Sequence, residues 1–275
     1  MEPFILKEEE FFTISDWCHA YPHLKAGFTT KNGGKSSNDL ASLNLAFHVN
    51  DAKETVCANR KIVADKLNFP IEKWVGAEQT HKTNVKIVTK ELAGTGATDY
   101  ESAISDTDGL FTVDKGVLLT LCYADCVPLY FFHPATGAIG IAHAGWKGTV
   151  QCIAKEMIAI FSAHHIKANE ILVVIGPSIS QANYVVDYRV ITEVEKILEH
   201  NDAKPYQYVS PNQYALNLQQ LNKQIVEKAG VNEKHIQITN YCTSKHQDYF
   251  YSHRRDNGKT GRMMSFIGWR EDVIV

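Results

Sequence analysis

Between residues 116 and 146 the chain reads GVLLTLCYADCVPLYFFHPATGAIGIAHAGW, and the reading of this stretch decides the fold class. Gly116–Tyr123, Leu129–His133 and Ala138–Ala142 are apolar, strand-like runs, and Pro134-Ala135-Thr136-Gly137 supplies turn residues between the last two, so a hairpin or meander is expected. After Gly145 the apolar period changes to 3.6. Val150, Ile153, Ala154, Met157, Ile158 and Phe161 then fall on one face of a helix expected to run to about His164.

Towards the N-terminus, Gly109–Val113 and Trp74–Thr89 are β-like and are separated by a loop containing Gly94, Gly96 and Asp99. Asp51 with Glu54 has the spacing of a capping box, and Val56, Arg60, Val63 and Leu67 recur at helical spacing before Pro70, which predicts a helix over 52–67. Phe28–Lys35 reads as a strand end entering a Gly33-Gly34 turn, followed by an aperiodic loop to Asn44. Towards the C-terminus, Ile171–Ile175 is a buried strand, and 188–199 and 214–229 are amphipathic helices, the second capped by Gly230. Ile236–Cys242 and Met263–Trp269 complete the strands. No repeat, low-complexity tract or linker interrupts the chain, so residues 1–275 are expected to form a single α+β domain of mixed β-sheets with flanking helices.

A chain of 275 residues can bury a core without disulfides or metal. Lys and Arg number 28 against 31 Asp and Glu, a net charge of -3 that offers no general attraction to nucleic acid or anionic membrane. A small ligand is the expected partner, and nothing in the sequence fixes an oligomeric state. The first twelve residues carry three consecutive glutamates where a signal peptide needs a positive flank, and no run of 18 apolar residues occurs, so a cytoplasmic protein is expected. The six cysteines are scattered, unlike a disulfide framework.

Three segments place a metal donor just beyond a predicted strand or at a strand edge: Gln79-Thr80-His81, Ala124-Asp125-Cys126 and Ala142-His143-Ala144-Gly145. Two imidazoles and a thiolate suit zinc, and three protein ligands leave a fourth position open for water or substrate. The spacing is equally compatible with a polar loop histidine, an inert buried thiol and a satisfied core histidine. It also permits a metal-free thiol nucleophile at Cys126 with His143 or His81 as base, or a non-enzymatic zinc-binding interaction protein whose shell a fourth donor such as Cys122 would close. Near the C-terminus, His253, Arg254, Arg255, Lys259 and Arg262 form a basic run; such runs usually form solvated faces, but the apolar flanks here suggest that some of the arginines are held inward to pair with acidic groups or an anionic substrate.

Ser42-Leu43-Asn44-Leu45, Asn59-Arg60, Gln79-Thr80-His81, Asp106 with Asp108-Gly109-Leu110, Ala124-Asp125-Cys126-Val127-Pro128, Ala142-His143-Ala144-Gly145-Trp146 and the Ser252–Arg262 tail occur in this order. Together they resemble the YfiH-like proteins, also called laccase-domain proteins or polyphenol oxidases and regarded as purine nucleoside enzymes. Ala46, where the family commonly has glycine, and an inserted Asn257 depart from the pattern without touching the donors. The resemblance implies a metal on His81, Cys126 and His143, zinc with copper as the alternative. It implies phosphorolysis of adenosine, inosine and guanosine, cleavage of methylthioadenosine and deamination of adenosine, with purine nucleosides and phosphate as partners. Within that frame Asp125 and Cys126 are the catalytic candidates, Asp125 for proton transfer. Asn44 and Gln79 are candidates for positioning substrate, and Arg60 or Arg254 for contacting phosphate. Multicopper oxidation needs paired histidines of the HxH type, and the chain has none.

Overall fold

The computed structural model describes residues 1–271. Its strands in chain order are β1 (Phe4–Glu8), β2 (Phe11–Ile14), β3 (Leu24–Thr29), β4 (Trp74–Gly76), β5 (Val85–Ile87), β6 (Gly109–Thr112), β7 (Leu118–Tyr123), β8 (Val127–His133), β9 (Ala138–Ala144), β10 (Leu172–Ile175), β11 (Val185–Val186), β12 (Tyr206–Ser210), β13 (Gln213–Leu216), β14 (Ile236–Ile238) and β15 (Met263–Trp269). The helices are α1 (Ser15–Ala20), α2 (Lys53–Leu67), α3 (Trp146–Val150), α4 (Ile153–Ala163), α5 (Tyr188–Glu195) and α6 (Leu218–Lys228). No helix of the described residues is long and apolar enough to cross a membrane.

Two six-stranded mixed sheets, ordered β1-β2-β3-β15-β7-β4 and β14-β10-β8-β9-β6-β5, pack face to face, and a small third sheet, β11-β13-β12, packs Val186 and Leu216 into the core on the outer side of the second. The period-2 alternation of β8 shows why its run is continuously apolar. Tyr130 and Phe132 enter the core between the sheets, where they meet Phe4, Leu119, Leu121, Ile139 and Ile141. Val127, Leu129 and Phe131 point the other way, into a second core built with Ile153, Met157, Ile158 and Phe161 of α4 and with Leu221 and Ile225 of α6. A strand covered on both faces has no solvent side to make polar. The outer face of the first sheet is closed by Val63, Ala64 and Leu67 of α2 against Leu118, Met264 and Phe266. The layers therefore run helix, sheet, sheet, helices.

The three central runs do not form one meander. β8 and β9 pair as the expected hairpin, but β7 lies in the other sheet between β15 and β4. The chain crosses from one sheet to the other at Ala124-Asp125-Cys126, and this crossing places Cys126 between the layers. The helix expected from Gly145 to His164 is two helices, because Cys152 adopts a left-handed conformation (φ 64) between them while the apolar stripe keeps its phase. The helix expected over 214–229 begins only at Leu218, since Gln213–Leu216 pairs with β12 and Asn217 caps the helix by accepting from Gln220 N at 3.0 Å. The strand expected over 236–242 stops at Ile238, and beyond it only Cys242 bridges to Ser178. Helix α2 matches its expected span and buries Val56, Arg60, Val63 and Leu67. Its capping box is absent, however: the N-cap is Ala52, and Asp51 Oδ2 instead accepts from Ser36 Oγ and Asn44 Nδ2.

Candidate metal centre

The β8–β9 register sets Val127 opposite Ala144 and Pro128 opposite His143, so Cys126, one residue before β8, comes beside the His143 end of the hairpin. His81 arrives from the loop between β4 and β5, with its backbone in the left-handed region at φ 61. One donor atom from each of His81, Cys126 and His143 lies within 4.8 Å of the others. The two imidazole rings meet edge to face with centroids 4.8 Å apart.

Asp108, at the entry to β6, is wholly buried and ties the parts together. Its Oδ1 accepts from His81 N at 3.0 Å and lies 2.8 Å from His143 Nδ1, while Oδ2 accepts from Thr80 N at 3.0 Å and Lys82 N at 2.9 Å. Burial pushes the Cys126 thiol up, but the charge and hydrogen bond of His143, with His81 adding to them, outweigh this and bring it down to about 6. Burial pushes His143 down, yet the facing Cys126 thiolate and the Asp108 carboxylate outweigh it and raise the imidazole to about 9. Without metal both shifts favour the charged forms, thiolate and imidazolium.

The donor set fits a divalent metal of the zinc type. Tetrahedral bonds of about 2.0–2.3 Å ask for donor separations of about 3.3–3.8 Å, a small rotamer adjustment from what is present. Gly145 leaves the space open beside the donors, since a Cβ there would stand 3.1 Å from Cys126 Sγ and 3.2 Å from His81 Cδ2. Among the described residues no other group of three or more His, Cys, Asp and Glu side chains is gathered for a metal.

The cluster opens into a cavity of about 590 Å³, whose wall includes His81, Cys126, His143, Trp146, Tyr184 and Arg254. Of the other residues singled out in the sequence, Gln79 and Asp125 reach this cavity but are already engaged. The Gln79 amide bonds both the N–H and the carbonyl of Cys122. The Asp125 carboxylate accepts from Thr243 Oγ1 at 2.6 Å, Ser252 Oγ at 3.0 Å and Arg254 N at 2.7 Å, which anchors the basic tail against the β7–β8 crossing. Asn44 and Arg60 lie outside the cavity wall. Asn44 is fully buried and bonded to Ala46, Asp51 and the Arg262 backbone. Arg60 donates to the carbonyls of Leu45, Gly96 and Ala97 beneath the Phe47 ring. In this geometry the polar side-chain atoms of both residues are engaged by the protein itself. Arg254 does face the cavity, its guanidinium 4.9 Å over the Tyr184 ring and bonded to Val185 O.

Asp108 and Tyr184 carry no site role in the sequence, and Lys147 and Arg262 enter it only as members of longer runs. Lys147 lies in the first turn of α3, just after Gly145, and Arg262 ends the basic run, so their neighbours are visible signals. Tyr184 follows the short 3-10 turn Gln181–Asn183 that leads to the small sheet, and no local pattern marks it.

A family model described as multi-copper polyphenol oxidoreductase laccase matches residues 25–270. The chain is 46% identical over 248 residues to a protein named purine nucleoside phosphorylase YlmD from Geobacillus stearothermophilus, covering 90% of each chain. It is 44% identical over 273 residues to purine nucleoside phosphorylase YlmD from Bacillus subtilis, covering 98% of each. Among solved structures, YlmD from Geobacillus stearothermophilus superposes with a TM-score of 0.95 at 43% identity, covering 98% of this chain and 100% of that one. The hypothetical protein YfiH from Bacillus licheniformis does so with a TM-score of 0.95 at 40% identity and the same coverage.

Proposed function

The chain belongs to the family described as multi-copper polyphenol oxidoreductase laccase, and from that premise we propose that it is a metal-dependent purine nucleoside phosphorylase with adenosine deaminase activity. Its substrates in this reading are adenosine, inosine, guanosine and methylthioadenosine with phosphate, and residues 1–275 form one catalytic domain. The observation that carries the reading is a three-donor cluster opening on one side into a cavity lined by aromatic faces and cations. The names of the relatives supply the substrate class.

His81, Cys126 and His143 would hold the metal, zinc with copper as the alternative, and a divalent ion there supplies Lewis acidity beside the substrate. Phosphorolysis joins a phosphate oxygen to the ribose C1′ while the C1′–N9 bond breaks and the purine leaves with the bonding pair, taking up a proton. Tyr184 and Trp146 offer faces for the purine. Arg254, with its guanidinium fixed by Val185 O, and the neighbouring cations Lys147 and Arg262 hold the phosphate charge in place. Asp125 acts by keeping the Ser252–Arg254 turn in position, because its Oδ2 accepts from Ser252 Oγ and Arg254 N while its Oδ1 accepts from Thr243 Oγ1.

One observation favours a second reading. Asp108, His143 and Cys126 stand in the order of a carboxylate, imidazole and thiol relay, which is what a metal-free thiol hydrolase requires. Incubating the protein with adenosine, with and without phosphate and before and after zinc removal, and resolving adenine, inosine and hypoxanthine separates the readings. Adenine release that needs both phosphate and metal supports the phosphorylase. Thiol-alkylation-sensitive turnover that is indifferent to chelation supports the hydrolase. Since both chemistries share one site, rising phosphate should depress inosine formation as it raises adenine release, and inosine formation unaffected by phosphate would argue for separate sites.

A further inference from the structure

We infer that Asp108 is the positioning residue that makes His81 and His143 a matched pair of ligands, an inference that rests on reading His81, Cys126 and His143 as metal donors. One atom, Oδ1, meets both histidines: it accepts from the backbone N–H of His81 at 3.0 Å and from the ring Nδ1 of His143 at 2.8 Å. The other oxygen accepts from the amides on either side of His81, Thr80 N at 3.0 Å and Lys82 N at 2.9 Å. Three consecutive amides thus converge on one buried carboxylate, and they hold His81 at a φ of 61 that a residue with a Cβ seldom adopts unaided.

The contact to His143 has a chemical consequence beyond rigidity. A proton on Nδ1, donated to Asp108, leaves the Nε2 lone pair free for the side of the ring that faces Cys126 and His81. No neighbouring carboxylate duplicates this arrangement. Asp106 is turned to Thr80 Oγ1, Lys82 Nζ and Asn84 Nδ2 and touches neither histidine.

Replacing the carboxylate by an amide keeps its shape and destroys its logic, because every partner is a donor. In Asp108→Asn the NH2 group meets N–H groups in both orientations. Turned towards the histidines, it forces the His143 proton onto Nε2, where it occupies the lone pair a metal needs. Turned the other way, it repels the Thr80 and Lys82 amides and frees the His81 loop.

The test is zinc affinity of the full chain by chelator competition, for wild type, Asp108→Asn and Asp106→Asn, with a thermal melt of each. The expected result is a loss of about 10- to 100-fold in Asp108→Asn against a change of less than about threefold in Asp106→Asn. Nitrogen NMR of the zinc-loaded wild type should show the His143 proton on Nδ1 and the metal on Nε2, a signature that a purely structural carboxylate would not set. Zinc bound equally well by wild type and Asp108→Asn overturns the proposal alone. So does a His143 that binds zinc through Nδ1, a measurement that decides the matter even if Asp108→Asn fails to fold. A wild-type chain that binds no zinc overturns the metal reading and the proposal with it.

Discussion

Arg60 and Arg254 show how little a residue's type says about its task. Both sit in stretches shared with the family pattern, yet one spends its guanidinium on three backbone carbonyls and the other faces the cavity. Arg60→Ala leaves buried carbonyls unpaired and should cost about 3 kcal/mol or more of stability, read by urea denaturation. Arg254→Ala should leave the melt unchanged and raise the phosphate concentration needed for half-maximal phosphorolysis roughly tenfold, while sparing deamination, which uses no anion. An unchanged phosphate requirement would move the anion site elsewhere, with Arg262 and Lys147 next in line. Gly145 is the other telling residue. Adding a Cβ there, 3.1 Å from Cys126 Sγ, should lower zinc content without lowering the melting temperature by more than a few degrees. Elemental analysis of Gly145→Ala checks this, and full zinc occupancy would show that the donors do not need the space.

At the scale of elements, hydrophobic period located what is buried, and local polar chemistry decided where elements end. The stripe of Val150, Ile153, Met157 and Phe161 is continuous, but the backbone breaks at Cys152, and a periodicity in side chains carries no record of one residue's φ. Asp51 has the spacing of a cap and is drawn instead into the buried Ser36 and Asn44 network. Asn217, in a segment read as mid-helix, is the residue that caps α6. Asn217→Ala should therefore lower stability by about 0.5–2 kcal/mol. Zinc binding should be unaltered, because Asn217 is not part of the cavity wall that holds the three donors. A urea titration that showed no change would mean the orphaned Gln220 amide finds another acceptor.

At the scale of the whole molecule, three apolar cores surround the sheets, and the donor cluster lies at the mouth where the chain passes between them. None of those cores needs the metal. Stripping zinc with a chelator, or His81→Ala or His143→Ala, should abolish phosphorolysis while leaving a cooperative thermal transition. Loss of that transition on chelation would make the metal structural and favour an interaction role. The sequence by itself determined the fold class, the central strands, the span of α2 and the three candidate donors. Apolar alternation, helical period and donor chemistry are written locally, and the order of motifs marked the family. Which sheet each strand joins was decided only in three dimensions, because β7 and β8 read alike along the chain and part company at a three-residue crossing. The same holds for the hydrogen-bond partners of Asn44, Arg60, Gln79 and Asp125. A polar side chain can bind substrate only with atoms its own fold leaves unpaired, and that accounting depends on partners as distant in sequence as Thr243, Ser252 and Arg254 are from Asp125.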